Sequence, residues 1–112
     1  MDLFSISNHL DLQFWEKKGD IPNDFNKLGY KEYHVTRANF EGESLTYYLS
    51  TDNGDVKVAT LNGLSGKIDP LKQINKCYLL IEEDPNIELN DKKVPGRITG
   101  IAVDDDWVEY KR

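Results

Sequence analysis

A period of two dominates the hydrophobic pattern of this chain. In 44–50, SLTYYLS, the residues Leu45, Tyr47 and Leu49 alternate with Thr46 and Tyr48, and in 55–61, DVKVATL, Val56 and Val58 alternate with Lys57 and Ala59. Successive strand side chains point to opposite faces, so each segment predicts a strand with one buried face. Asn53-Gly54 lies between them and supplies the two residues best suited to φ > 0. Segments 44–50 and 55–61 therefore read as a hairpin around a type I′ turn. Tyr47 and Tyr48 must then face opposite ways, one into the core and the other toward solvent or a partner.

Further strands follow the same logic. YKEYHVTRANF, 30–40, sets Tyr33, Val35 and Phe40 among polar neighbours and predicts a strand, bulged near Arg37-Ala38, that pairs with 44–50 through EGE at 41–43. KCYLLIEE, 76–83, is a nearly continuous apolar run, the pattern of a central strand covered on both faces. GRITGIAV, 96–103, and DWVEY, 106–110, add two short strands, the last an edge or a hairpin partner across three aspartates.

Helical patterning is sparser. IPNDFNKLGY spaces Ile21, Phe25 and Leu28 at i, i+4 and i+7, with Pro22 near a start and Gly29 as a stop, which predicts about two turns. IDPLKQIN offers Asp69 as N-cap and Pro70 at the first helical position. In HLDLQFWEKKG, 9–19, the alternation of Leu10, Leu12 and Phe14 reads as strand, although Lys17-Lys18-Gly19 resembles a helix end. The sum is a mainly antiparallel β domain (α+β class) of six to seven strands and one to three short helices, as a curved sheet, barrel or sandwich. A length of 112 residues suits one such domain, 1–112, and falls short of two.

Composition changes the picture in two ways. Two tryptophans, six tyrosines and four phenylalanines, spread from Phe4 to Tyr110, argue against disorder even though 30% of the residues are charged. The formal net charge of −6 gives a field that repels nucleic acid and anionic lipid and attracts a basic protein. Neither direct nucleic-acid binding nor a membrane role is expected. The amino terminus has no basic region leading into an apolar stretch, and no window reaches the roughly 18 apolar residues of a span. The lone cysteine, Cys77, sits in the apolar run CYLLI and reads as a core residue, which fits a cytoplasmic location.

Candidate chemistry centres on Asp104, Asp105 and Asp106, which precede Trp107. Adjacent carboxylates repel and bind solvent. One reading is a solvated turn joining 97–103 to 107–110, since Asp favours turns. Calcium would need about six oxygens, more than one short run directs at a point. The functional reading is an acidic surface with an aromatic anchor, suited to a partner's basic cleft. Glu82, Glu83 and Asp84 form a second acidic stretch that joins the first if strands 77–82 and 98–103 are neighbours with their acidic ends together. Tyr48 is a candidate recognition residue on the hairpin.

Other constellations are weaker. Glu109 and Lys111, downstream of the aspartates, echo the carboxylate-plus-lysine pattern of metal-dependent nucleases, but acidic surroundings oppose that substrate. TDNGD lacks the spacing of a calcium loop, NGLSGK lacks that of a phosphate loop, and His9 and His34 lack partners at zinc spacing. No cofactor is implied.

The sequence therefore points to a non-enzymatic, acidic, protein-binding inhibitor. The most specific form is an immunity protein or antitoxin that occludes the active site or substrate surface of a basic nuclease toxin. A phage-encoded inhibitor of a host defence nuclease has the same physics. The alternative is a small-ligand-binding β domain, or an enzyme, whose internal pocket is lined by His34, Tyr33 or Arg37. A structural subunit with a large apolar interface is the third possibility.

Overall fold

The computed structural model describes residues 6–41, 44–50, 56–64, 76–83, 88–89, 92–93 and 96–111. Its strands are β1 Trp15–Lys17, β2 Lys31–Glu41, β3 Ser44–Ser50, β4 Val56–Leu61, β5 Lys76–Glu83, β6 Glu88–Leu89, β7 Lys92–Lys93, β8 Gly96–Val103 and β9 Asp106–Tyr110. Strands β6 and β7 make a separate two-stranded ribbon, and the other seven share one sheet. Pairing runs β2–β3–β4–β8–β5 and returns from β5 to β2, which closes a five-stranded barrel. Every barrel pairing is antiparallel except β4 with β8.

Taken in chain order, the five barrel strands follow one another round the wall as first, second, third, fifth, fourth, with the third and fifth parallel. This is the topology of the OB-type Greek-key barrel. Strand β8 is the branch point. Its first residues, Gly96 and Arg97, pair with Ala59 and Thr60 of β4, whereas Gly100 to Val103 pair with β9. Strand β9 in turn carries β1, so the sheet continues past the barrel by two strands, whose Trp15 and Val108 still join the main core.

The period-two pattern accounts for the barrel interior. Leu45, Tyr47 and Leu49 of β3, Ala59 and Leu61 of β4, Leu79 of β5, and Ile98 and Ile101 of β8 are essentially inaccessible. Each such large side chain contributes about 1.5–3 kcal/mol relative to exposure. Tyr47 and Tyr48 do face opposite sides, Tyr47 inward and Tyr48 half-buried outside. The hairpin register, Ser50 with Val56, is in place, while the turn assigned to Asn53-Gly54 lies outside the described residues. The bulge in β2 falls between Val35 and Arg37, just ahead of the expected position. Strand β5 has both neighbours and a buried inner face, Cys77 and Leu79, yet Tyr78 on its outer face is exposed.

Two local readings differ from the structure. The 21–28 helix is reduced to a 3-10 turn, Phe25–Leu28, because Asp24 caps it by accepting the Asn26 N–H at 3.1 Å and Gly29 ends it at φ 91. The strand read in 9–19 survives only as β1. Asp11 turns the chain there, its carbonyl accepting from the Phe14 and Trp15 amides and its side chain from the Gln13 amide. The alternation is thereby broken. Leu12 and Phe14 stay exposed, and Trp15 is buried instead, donating from its indole to the Asn62 carbonyl at 3.0 Å. With Ile6 and Leu10 it plugs one end of the barrel. The helix read at 68–75 lies outside the described residues.

No helix among the described residues is long and apolar enough to cross a membrane. Burial, reinforced by Glu32, pushes the Cys77 thiol up to about 12 from an ordinary 9.0. It stays neutral through pH 8, and only the thiolate attacks disulfides. The native protein should react with an aromatic disulfide reagent at pH 8 much more slowly than the denatured chain, because its thiol is both neutral and covered. A fast native reaction, followed by absorbance, would show that this strand opens freely.

Candidate functional site

The triple aspartate divides into three separate roles. Val103 of β8 pairs with Asp106 of β9, which leaves Asp104 and Asp105 as a two-residue hairpin loop. Such loops need positive φ at their first position, and Asp104 has φ 54, a region that Asp tolerates better than most residues. Both loop carboxylates are exposed. Asp106 instead turns inward, is buried, and accepts the Ser7 amide N–H on Oδ2 at 2.8 Å. It therefore fastens the 3-10 turn Ile6–Asn8 to the barrel.

Trp107 is not a free anchor. It is half-buried on the outer face of β9, and its indole N–H donates to the Tyr30 hydroxyl at 2.9 Å. That hydroxyl donates in turn to Glu109 Oε2 at 2.6 Å. Burial first, and then this carboxylate, holds the Tyr30 phenol protonated far above its ordinary range. Tyr30 reaches this position because Gly100 has no side chain: a Cβ there would lie 2.2 Å from the hydroxyl oxygen. Phe25 completes the cluster, 4.7 Å from the Tyr30 ring and edge-on to Trp107 at 5.3 Å. Ala102, Leu80 and Ile21 fill in around them. This second small core pins 21–30 across the outside of β5, β8 and β9.

A concavity of about 270 Å³ opens beside it. Ile21, Pro22, Phe25, Tyr78 and Ala102 supply its apolar part, and Asn23, Asn26, Asp24 and Asp104 its polar part. Phe25 and Tyr78 stack at 5.4 Å with their planes 25° apart, Phe25 buried and Tyr78 39% exposed. Among the described residues the lining contains two carboxylates, two amides and no cationic side chain. Neither Tyr78 nor Phe25 stands out in the sequence as a contact residue. The only signal there is the position of Tyr78 on the outer face of an otherwise apolar strand.

The second acidic stretch does not join the first. Strands β5 and β8 are neighbours but antiparallel, so Glu82 and Glu83 sit opposite Arg97 and Gly96, at the far end of β8 from Asp104. At roughly 3.3 Å per residue the two groups stand roughly 25 Å apart along the strand. Glu82 and Glu83 are exposed, and Asp84 lies outside the described residues. Tyr48 is elsewhere again, on β3, where the Arg37 guanidinium covers its ring at 4.0 Å from the centroid.

The remaining candidates have structural roles. Glu109 is held by Tyr30 and lies 3.9 Å from Lys18, while Lys111 donates to the Leu12 carbonyl at 3.0 Å. The nuclease-like carboxylate and lysine are thus committed to the fold. His34 and Arg37 are exposed, and Tyr33 packs in the core with its phenol pushed up by burial. These three do not line an internal pocket. Among the described residues no three His, Cys, Asp or Glu side chains gather as a metal site.

Comparison with protein-family models, with curated proteins and with solved structures finds no match, so function is read from this geometry alone. The division of the aspartates is directly testable by urea unfolding. Asp106→Ala should lower stability by about 1–3 kcal/mol by stranding a buried amide. Asp104→Asn and Asp105→Asn should each stay within about 0.5 kcal/mol. Equal effects at all three positions would contradict the assignment.

Proposed function

We propose that this chain is an acidic protein-binding inhibitor, an immunity protein or antitoxin that neutralises a basic nuclease toxin. The observation that carries the reading is the aromatic-floored concavity with Asp24 and Asp104 in its lining and no cation there, on a chain of net charge −6. A field of that sign speeds encounter with a basic partner and makes the rate fall with salt. Once docked, the carboxylates of the β8–β9 loop occupy positions where the toxin would hold substrate phosphates. The aromatic contact that the sequence suggests at Trp107 is supplied by Tyr78, which is exposed.

The topology by itself is compatible with oligonucleotide or sugar binding on the face of the second and third barrel strands, here β3 and β4. Fold does not determine function. A net charge of −6 works against a phosphate backbone, and on that face Arg37 already stacks on Tyr48. A basic protein suits the field better. A phage-encoded inhibitor of a host nuclease would use the same surface.

The test is capture of partners on tagged protein in extracts of its native cells, washed at low and then high salt, with the released protein assayed on nucleic acid. The expected result is one stoichiometric basic protein that elutes with salt and whose nuclease activity falls as this chain is added back. Asn at both Asp24 and Asp104 preserves the cap and the turn. That double variant should slow association about tenfold at low salt and less at high salt. No basic partner from cells that express the folded protein, or a partner without nuclease activity, would reject the inhibitor reading.

A further inference from the structure

The concavity is small and chemically specific. Its 270 Å³ falls just under the roughly 300–1,000 Å³ of sites that enclose drug-sized ligands, and suits a single long side chain. Hard cations are poor candidates, because calcium needs six to eight oxygens and these carboxylates stand at the edge of an aromatic floor. Asp104 makes no hydrogen bond or ion pair with any described residue, and Asp24 commits only Oδ1 to its cap. One whole carboxylate and one further oxygen are therefore open to a donor. The exposed Tyr78 ring, backed by Phe25, presents aromatic surface to the same space.

We infer that this concavity seats an arginine side chain of the protein partner, its guanidinium against Tyr78 and its N–H groups directed at Asp104 and Asp24. The inference rests on the inhibitor reading and specifies how the partner is held. A guanidinium is planar, weakly hydrated and rich in donors, so it can stack and bridge carboxylates at once, whereas an ammonium is a compact, strongly hydrated charge. The chain already contains this arrangement internally: Arg37 lies 4.0 Å over Tyr48. Charge complementarity selects the occupant, since the lining offers acceptors and aromatic surface and no cation.

The test is a chemical-shift titration of the full chain with N-acetyl-arginine amide and, in parallel, N-acetyl-lysine amide at low salt. Shifts should concentrate at Phe25, Tyr78, Ala102 and Asp104, with arginine binding at least about threefold tighter than lysine. Asp104→Asn should weaken arginine about threefold. Tyr78→Leu should erase the preference over lysine, while Tyr78→Phe keeps it and controls for folding. Shifts elsewhere, or equal affinity for lysine, would overturn the site. The captured partner separates the two claims. If it binds Tyr78→Leu as tightly as the unaltered chain, the arginine seat is wrong and the inhibitor reading stands. If arginine amide fills the site but no basic protein is retained, a partner's arginine is wrong as the occupant and the inhibitor reading falls with it.

Discussion

One hydroxyl organises the outer face of this barrel. The Tyr30 oxygen accepts from Trp107, donates to Glu109, and occupies the space a side chain at position 100 would need. Two distant parts of the chain meet there: the 21–30 segment and the β8–β9 hairpin. A buried hydroxyl with both capacities used stabilises, while the same groups stranded would cost about 1–3 kcal/mol each. The segment it ties down has one short regular element, the 3-10 turn Phe25–Leu28, and is otherwise fixed by the packing of Phe25 against Tyr78 and Trp107. The concavity exists because this segment is held against Tyr78 and Ala102.

The proposed binding surface inherits its character from that arrangement. Holding Phe25 under Tyr78 keeps an aromatic surface available where an outward tyrosine alone would rotate freely. The tight β8–β9 hairpin places Asp104 in the lining, and the capping role of Asp24 places a second carboxylate there. Each acid is there for a local conformational reason, one for φ 54 and the other for a helix cap. Their convergence on one aromatic pocket gives the proposed arginine seat its acceptors.

Much of the fold was legible because the barrel strands obey a period of two. β3, β5, β8 and β9 run over the residues their alternation or apolar runs indicate, since burying one face of a strand leaves a local record. Closure left none. The parallel contact of β4 with β8 involves only Ala59 with Gly96 and Thr60 with Arg97, residues without a pairing signal. The amino-terminal segment misled because Leu10, Leu12 and Phe14 alternate by chance across a turn set by Asp11. At the site, the acids were visible and the aromatics were not. Trp107 looked like an anchor because its partner, Tyr30, lies 77 residues away, and Tyr78 looked like part of an apolar run. The antiparallel register that separates Glu82 and Glu83 from Asp104 is likewise a tertiary fact.

The central claim is that the Tyr30 hydroxyl holds the 21–30 segment, and with it the pocket, onto a barrel that stands without it. Native-state amide exchange on Tyr30→Phe measures this residue by residue. The Gly29 and Tyr30 amides, bonded to the Asn26 and Phe25 carbonyls, should exchange about 10- to 100-fold faster than in the unaltered chain. Amides of β5 and β8 within the barrel should keep their protection. Unchanged exchange at 25–30, or an equal loss across the whole barrel, would contradict the account.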